Sequence, residues 1–235
     1  MKTRLKVVLL SAAVSVLGAG AALAQQGAVD GAPIFGAPPA GATNLTGKWI
    51  NATPEAALMT VQKKAPPLNA KGKVEYAKHM ANPKSDPNLL CQLQGEPRLL
   101  FTAYPFLILH YQDHIDFVHE VNHTFRIVPF GQPLDPESDP LWLGHASAKL
   151  DGKAVVIDGI NYNDKTWLDY KGLPHGNKLK TQERYTLSDD GRTISGTVSI
   201  DDPEYYSRPW TATFTLKKLP GSTLAQHSCA ADHKM

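Results

Sequence analysis

Three side chains in the middle and later part of this sequence have the chemistry for proton transfer: His119, Glu120 and Glu183. An imidazole and carboxylates exchange protons near neutral pH once their surroundings adjust their pKa values. Arg126, Tyr185 and Arg208 supply donors that would orient a substrate or steady negative charge as it develops. Trp167, in a polar connection, and His145, beside Gly144, add groups suited to gripping a ligand.

Strand alternation is what groups them, because successive side chains on a strand point to opposite faces. Across 179–187 the more apolar set is Leu179, Thr181, Glu183, Tyr185 and Leu187, which carries Glu183 inward. Across 115–121 it is Ile115, Phe117, His119 and Val121, which carries His119 inward. Across 194–202 the inward set of Ile194, Gly196, Val198 and Ile200 ends at Asp202. Three ionisable groups from three strands thereby project into, or onto the rim of, one interior. A lone carboxylate is costly to bury, so each must be paired or protonated. Two arrangements satisfy that. Arg126, Arg184 or Arg208 neutralises them in structural pairs, or they form a pocket in which His119 or Glu120 takes a proton beside an Arg or Tyr.

His110, His114, His119 and His123 crowd one stretch, with Glu120 as a potential fifth ligand. On a strand, four residues separate side chains by about 13 Å, so a shared metal would need turns at Gln112-Asp113 and Asn122 to fold them together. Exposed hairpin histidines are the simpler reading, and neither a metal nor another cofactor is expected. The sequence has no G-x-S-x-G elbow, glycine-rich phosphate loop or C-x-x-C. Acid–base chemistry without a bound cofactor is what remains.

The elements that must position these groups are β-strands. Short β-branched and aromatic runs separated by turn residues occupy 106–111, 115–121, 124–128, 143–150, 154–161, 179–187, 193–201 and 210–218. Asp151-Gly152 and Ser188-Asp189-Asp190-Gly191 read as tight hairpin connections. A short helix is expected over 74–80. The fold class is mostly β: a single antiparallel β-barrel or strongly bent sheet with long loops. The connection 161–176, carrying Tyr162, Trp167, Tyr170 and His175, places rings at the mouth of such a barrel or plugs it.

Lys2, Arg4 and Lys6, an apolar run and Ala22-Leu23-Ala24 form a three-part secretory signal over 1–24, with cleavage after Ala24 and a periplasmic destination. Residues 25–44, rich in Gly and Pro, read as a flexible leader, and 45–235 as one β-rich domain. The formal charge of +2 includes the three cations of the signal, so the mature chain is close to neutral. It lacks the basic footprint of a nucleic-acid binder, and no second apolar stretch is long enough to span a bilayer. Oligomeric state is left open. Cys91 and Cys229, in an oxidising compartment, are expected to form a disulfide.

Leu45-Thr46-Gly47-Lys48-Trp49 resembles the G-x-W start of lipocalin-type barrels. That resemblance implies a basic residue over the Trp from a late strand, for which Arg208 is the candidate. The chain is also similar to a group of exported bacterial proteins, mostly of unassigned function. The shared motifs are Leu45 to Trp49, Gly95-Glu96-Pro97-Arg98 after Cys91, Glu120 with Arg126, Gly144-His145, Glu183-Arg184-Tyr185, and Asp202-Pro203 with Arg208-Pro209-Trp210.

The expected function is a periplasmic, cofactor-independent lyase or isomerase acting on a small apolar or aromatic compound, by retro-aldol or elimination chemistry. The alternative is a lipocalin-like binding protein that holds an apolar ligand without turnover.

Overall fold

A computed structural model describes residues 43–225 together with Pro38, His227 and Cys229. The expected signal peptide, 1–24, and all of the leader except Pro38, Thr43 and Asn44 lie outside the described residues.

Among the described residues nine strands form one antiparallel sheet. They are β1 (Gly47–Asn51), β2 (Phe106–His110), β3 (His114–His119), β4 (Phe125–Pro129), β5 (His145–Asp151), β6 (Ala154–Ile160), β7 (Lys180–Leu187), β8 (Thr193–Asp201) and β9 (Trp210–Leu219). Their spatial order is β4-β3-β2-β1-β9-β8-β7-β6-β5. Two meanders, β2 to β4 and β5 to β9, are therefore joined by β1, which pairs with β2 on one side and β9 on the other.

The sheet curls until its ends approach without pairing as a ladder. Phe130, just after β4, makes a single bridge to Ala148 of β5, and the Gly131 N–H donates to the Ala148 carbonyl at 2.9 Å. This is a strongly bent sheet and not a closed barrel. Its concave side holds the core, including Trp49, Phe106, Ile108, Ile115, Phe117, Val198 and Phe214.

Local chemistry explains the hairpins. Between Asp151 and its partner Ala154 the loop is two residues, and Gly152 supplies the positive φ of +61° that such a loop needs. Between β3 and β4, Asn122 and His123 both take positive φ, 51° and 48°. Non-glycine residues in that region are uncommon, Asn being one of the better tolerated.

The α-helix α1 (Ala70–Ala81) is longer than the expected 74–80. The Asn69 side chain accepts from the Gly72 N–H and caps its first turn, while Lys78 and His79 sit in its last turn. No helix among the described residues is long and apolar enough to cross a membrane. Cys91 and Cys229 form a disulfide across 138 residues of chain, with their Cα atoms 5.4 Å apart.

Candidate functional site

β3 turns Ile115, Phe117 and His119 to the concave side. Its pairing with β4 sets Phe117 opposite Arg126 and Val118 opposite Phe125. Register therefore decides β4 against hydrophobicity: Arg126 is 4% exposed while Phe125 and Ile127 face outward at 66% and 59%. From the other side of the curl, β7 turns Thr181, Glu183 and Tyr185 inward.

These side chains meet. Arg126 Nη1 donates to Glu183 Oε1 at 2.8 Å, and the Tyr185 hydroxyl donates to Glu183 Oε2 at 2.5 Å. Both Glu183 oxygens are thus engaged, and the carboxylate fixes one edge of the guanidinium. The Tyr162 hydroxyl lies 2.7 Å from Thr181 Oγ1 on the same strand. A methyl group on Gly159 would stand 2.1 Å from that hydroxyl, so only glycine leaves Tyr162 its place.

The group that completes the cluster comes from a connection. Glu96 Oε1 lies 3.7 Å from Arg126 Nη1 and 3.8 Å from His119 Nε2, and Glu96, His119 and Glu183 are 1%, 2% and 0% exposed. Buried Leu99, Leu100 and Phe101 follow Glu96 and draw its connection into the core. The adjacent Arg98 makes a bidentate pair with Asp86 at 2.8 and 2.7 Å, and its guanidinium lies 4.1 Å from the centre of the Tyr170 ring. Tyr170 in turn donates to Gln94 Oε1 at 3.3 Å. The positive φ of Gly95, +75°, lets the backbone turn against Thr166. Glu96 is therefore held from both sides by a buried scaffold.

Electrostatics sorts the protons. Burial pushes the Glu96 carboxyl up to about 8; Arg126 opposes this and Glu183 adds to it. Glu96 is neutral at pH 7. Burial pulls His119 down to about 3, with Arg126 adding to the shift, so the imidazole is neutral too. Burial is the largest single influence on Arg126 and would lower it; Glu183 leads the neighbours that together outweigh burial and raise it, Glu96 counting among them only when ionised. Burial also raises Tyr162 and Tyr185. This cluster thus holds the ion pair of Arg126 with Glu183 beside a protonated acid and an uncharged base.

Several polar atoms here have no hydrogen-bond partner among the described residues: both Glu96 oxygens, His119 Nε2, and Arg126 Nε and Nη2. Aromatic rings form the walls. Phe106 stacks on His119 at 4.9 Å, Phe117 lies 5.9 Å from the Arg126 guanidinium, and Tyr185 packs against Phe117 at 5.7 Å.

Of the residues singled out in the sequence, the structure brings together His119, Glu183, Arg126 and Tyr185. The others lie elsewhere. Glu120, on the opposite face from His119, accepts the Ala225 N–H at 3.1 Å. Arg208 is exposed and lines a groove with Val61, Pro67 and Trp210. Trp167 stacks on His79 at 4.6 Å in a polar cavity of about 190 Å³ that also includes Glu75, Asp164, His175 and Tyr205. His145 Nε2 lies 2.9 Å from the Asp139 carbonyl oxygen. Asp202 accepts the Gly176 and Glu204 N–H groups and shapes a turn.

The cation over Trp49 is Lys218 of β9, 5.9 Å from the ring, and not Arg208. The four clustered histidines are also separated. His110 and His119 face inward at opposite ends of the β2–β3 pairing, His114 contacts Asp113 and Asp116, and His123 sits in the turn. Among the described residues, no group of three or more His, Cys, Asp or Glu side chains is arranged to hold a metal ion.

Glu96 is the site residue that sequence reasoning left without a role. Its signal was a carboxylate between Gly95 and Pro97, immediately ahead of an apolar run, in a connection where strand alternation says nothing. Comparison with protein-family models, curated proteins and solved structures finds no match to this chain.

Proposed function

We propose that this protein is an acid–base enzyme of the periplasm, a lyase or isomerase requiring no cofactor, which holds a small apolar or aromatic compound inside the curled sheet. The observation that carries this reading is the contact of a protonated Glu96 with a neutral His119, 3.8 Å apart and shielded from solvent. A carboxyl whose pKa lies close to neutral is well matched to giving and regaining a proton.

In such a reaction His119 removes a proton from the substrate while Glu96 delivers one to the leaving group, or to a second carbon in an isomerisation. Transfer from His119 to Glu96 then restores the pair. His119 is a weak base in the free site, and negative charge developing beside it raises its basicity. Arg126 faces that charge, and Glu183 with Tyr185 positions Arg126. The aromatic walls suit an apolar body. The disulfide and the signal-like N-terminus support an exported, oxidising setting.

The test is a panel of small aromatic and unsaturated compounds, scored for conversion and for binding with wild type, Glu96→Gln and His119→Gln. The expected result is a substrate whose turnover both substitutions abolish with less than a tenfold change in affinity. If wild type binds compounds stoichiometrically and converts none, the protein is a carrier and the enzyme reading is wrong.

A further inference from the structure

We infer that the ligand of this interior carries a carboxylate, seated on the free edge of the Arg126 guanidinium and within reach of the Glu96 carboxyl. This rests on the interior being a ligand site, as proposed above, and adds the chemical class of the ligand.

The geometry of Arg126 is specific. Nη1 is committed to Glu183, while Nε and Nη2, both buried, have no partner among the described residues. Those two nitrogens share one edge of the planar guanidinium, and their N–H bonds run parallel. That fork fits the two oxygens of a carboxylate, which accepts both bonds at once.

Glu96 gives a second, independent indication. Both its oxygens are buried without a partner among the described residues, and in its neutral form it is a hydrogen-bond donor. The unpartnered Nε–Nη2 edge of Arg126 is purely a donor, so that edge lacks an acceptor, and the Glu96 hydroxyl can add one more donor to whatever fills it. A carboxylate supplies two acceptor oxygens and a single negative charge. The rings of Phe117, near the Arg126 guanidinium, of Tyr185, packed on Phe117, and of Phe106, stacked on His119, suit an apolar body attached to the anionic head.

The test uses the intact protein with trans-cinnamate and benzoate as probes and their amides as neutral controls. Titration is followed by calorimetry and by the Arg126 Nε–H resonance. The expected result is saturable 1:1 binding of a carboxylate, at least tenfold tighter than its amide, with the Nε–H signal moving as the site fills. Arg126→Lys, which keeps the charge and loses the fork, should weaken binding at least tenfold. Should that variant fail to fold, the wild-type resonance still decides. If the amides bind as tightly as the acids, or if no acid shifts the Nε–H signal, the carboxylate inference is overturned. Conversion of a neutral compound that still depends on Glu96 would overturn it while leaving the acid–base reading in place.

Discussion

Glu183 holds Arg126 at 2.8 Å from the opposite side of the curled sheet, and the same carboxylate takes the Tyr185 hydroxyl on its other oxygen. The pair spans β4 and β7, which lie six places apart in the strand order. It ties the two meanders together through the interior, where their backbones meet only through β1 and the single bridge from Phe130 to Ala148. A buried ion pair is weak evidence of net stability, yet removing one partner strands the other.

Glu183→Gln is therefore expected to destabilise the fold by about 3 kcal/mol or more, because Arg126 loses its counter-charge in a dry interior. Urea unfolding at pH 7 measures this. A loss below about 1 kcal/mol would mean that the pair is not an anchor.

Stability should depend on pH in two opposed ways. His119 and His110, lowered by burial to about 3 and about 4, bind protons in the unfolded chain that they refuse in the fold. Their contribution is present above the unfolded value of 6.5 and is lost as pH falls through the folded values. Glu96 is raised instead, so its contribution is present below 4.5 and is lost as pH climbs to about 8. Between pH 6.5 and 8 only the Glu96 effect remains of these three, so wild type should lose stability there and Glu96→Gln should not. Each pH unit at a full proton's difference is worth about 1.4 kcal/mol. Parallel wild-type and variant curves of unfolding midpoint against pH would show that Glu96 is not held protonated.

Gly159→Ala adds a methyl that would meet the Tyr162 hydroxyl at 2.1 Å. Tyr162 must leave Thr181, at a cost of about 1–3 kcal/mol from strain and a broken buried hydrogen bond. Thermal unfolding reads the cost, and the double variant Gly159→Ala, Tyr162→Phe should recover part of it. No recovery would place the strain elsewhere.

The disulfide closes 138 residues of chain, so Cys91→Ser should cost about 5 kcal/mol on chain-entropy grounds. Cys91 lies in the same connection as Asp86, Arg98 and Glu96. Amide exchange across 86–98 should rise in the variant more than exchange within β7 and β8. Equal changes in both regions would separate the staple from the site.

Much of the β-structure was legible in the residues themselves. A period of two is a local property, which is why alternation turned His119, Glu183 and Tyr185 inward and why Asp151-Gly152 marked its hairpin. The pairing of the two cysteines was likewise legible from composition. Three further decisions belonged to tertiary structure. Register across the Asn122-His123 turn put Arg126 inside and left Phe125 and Ile127 outside, because pairing with β3 binds the whole strand at once. Curling of the sheet brought β4 opposite β7, a proximity that no sequence spacing encodes. Glu96 reached His119 because buried neighbours on both sides of it fix an irregular connection, whose course no backbone period dictates.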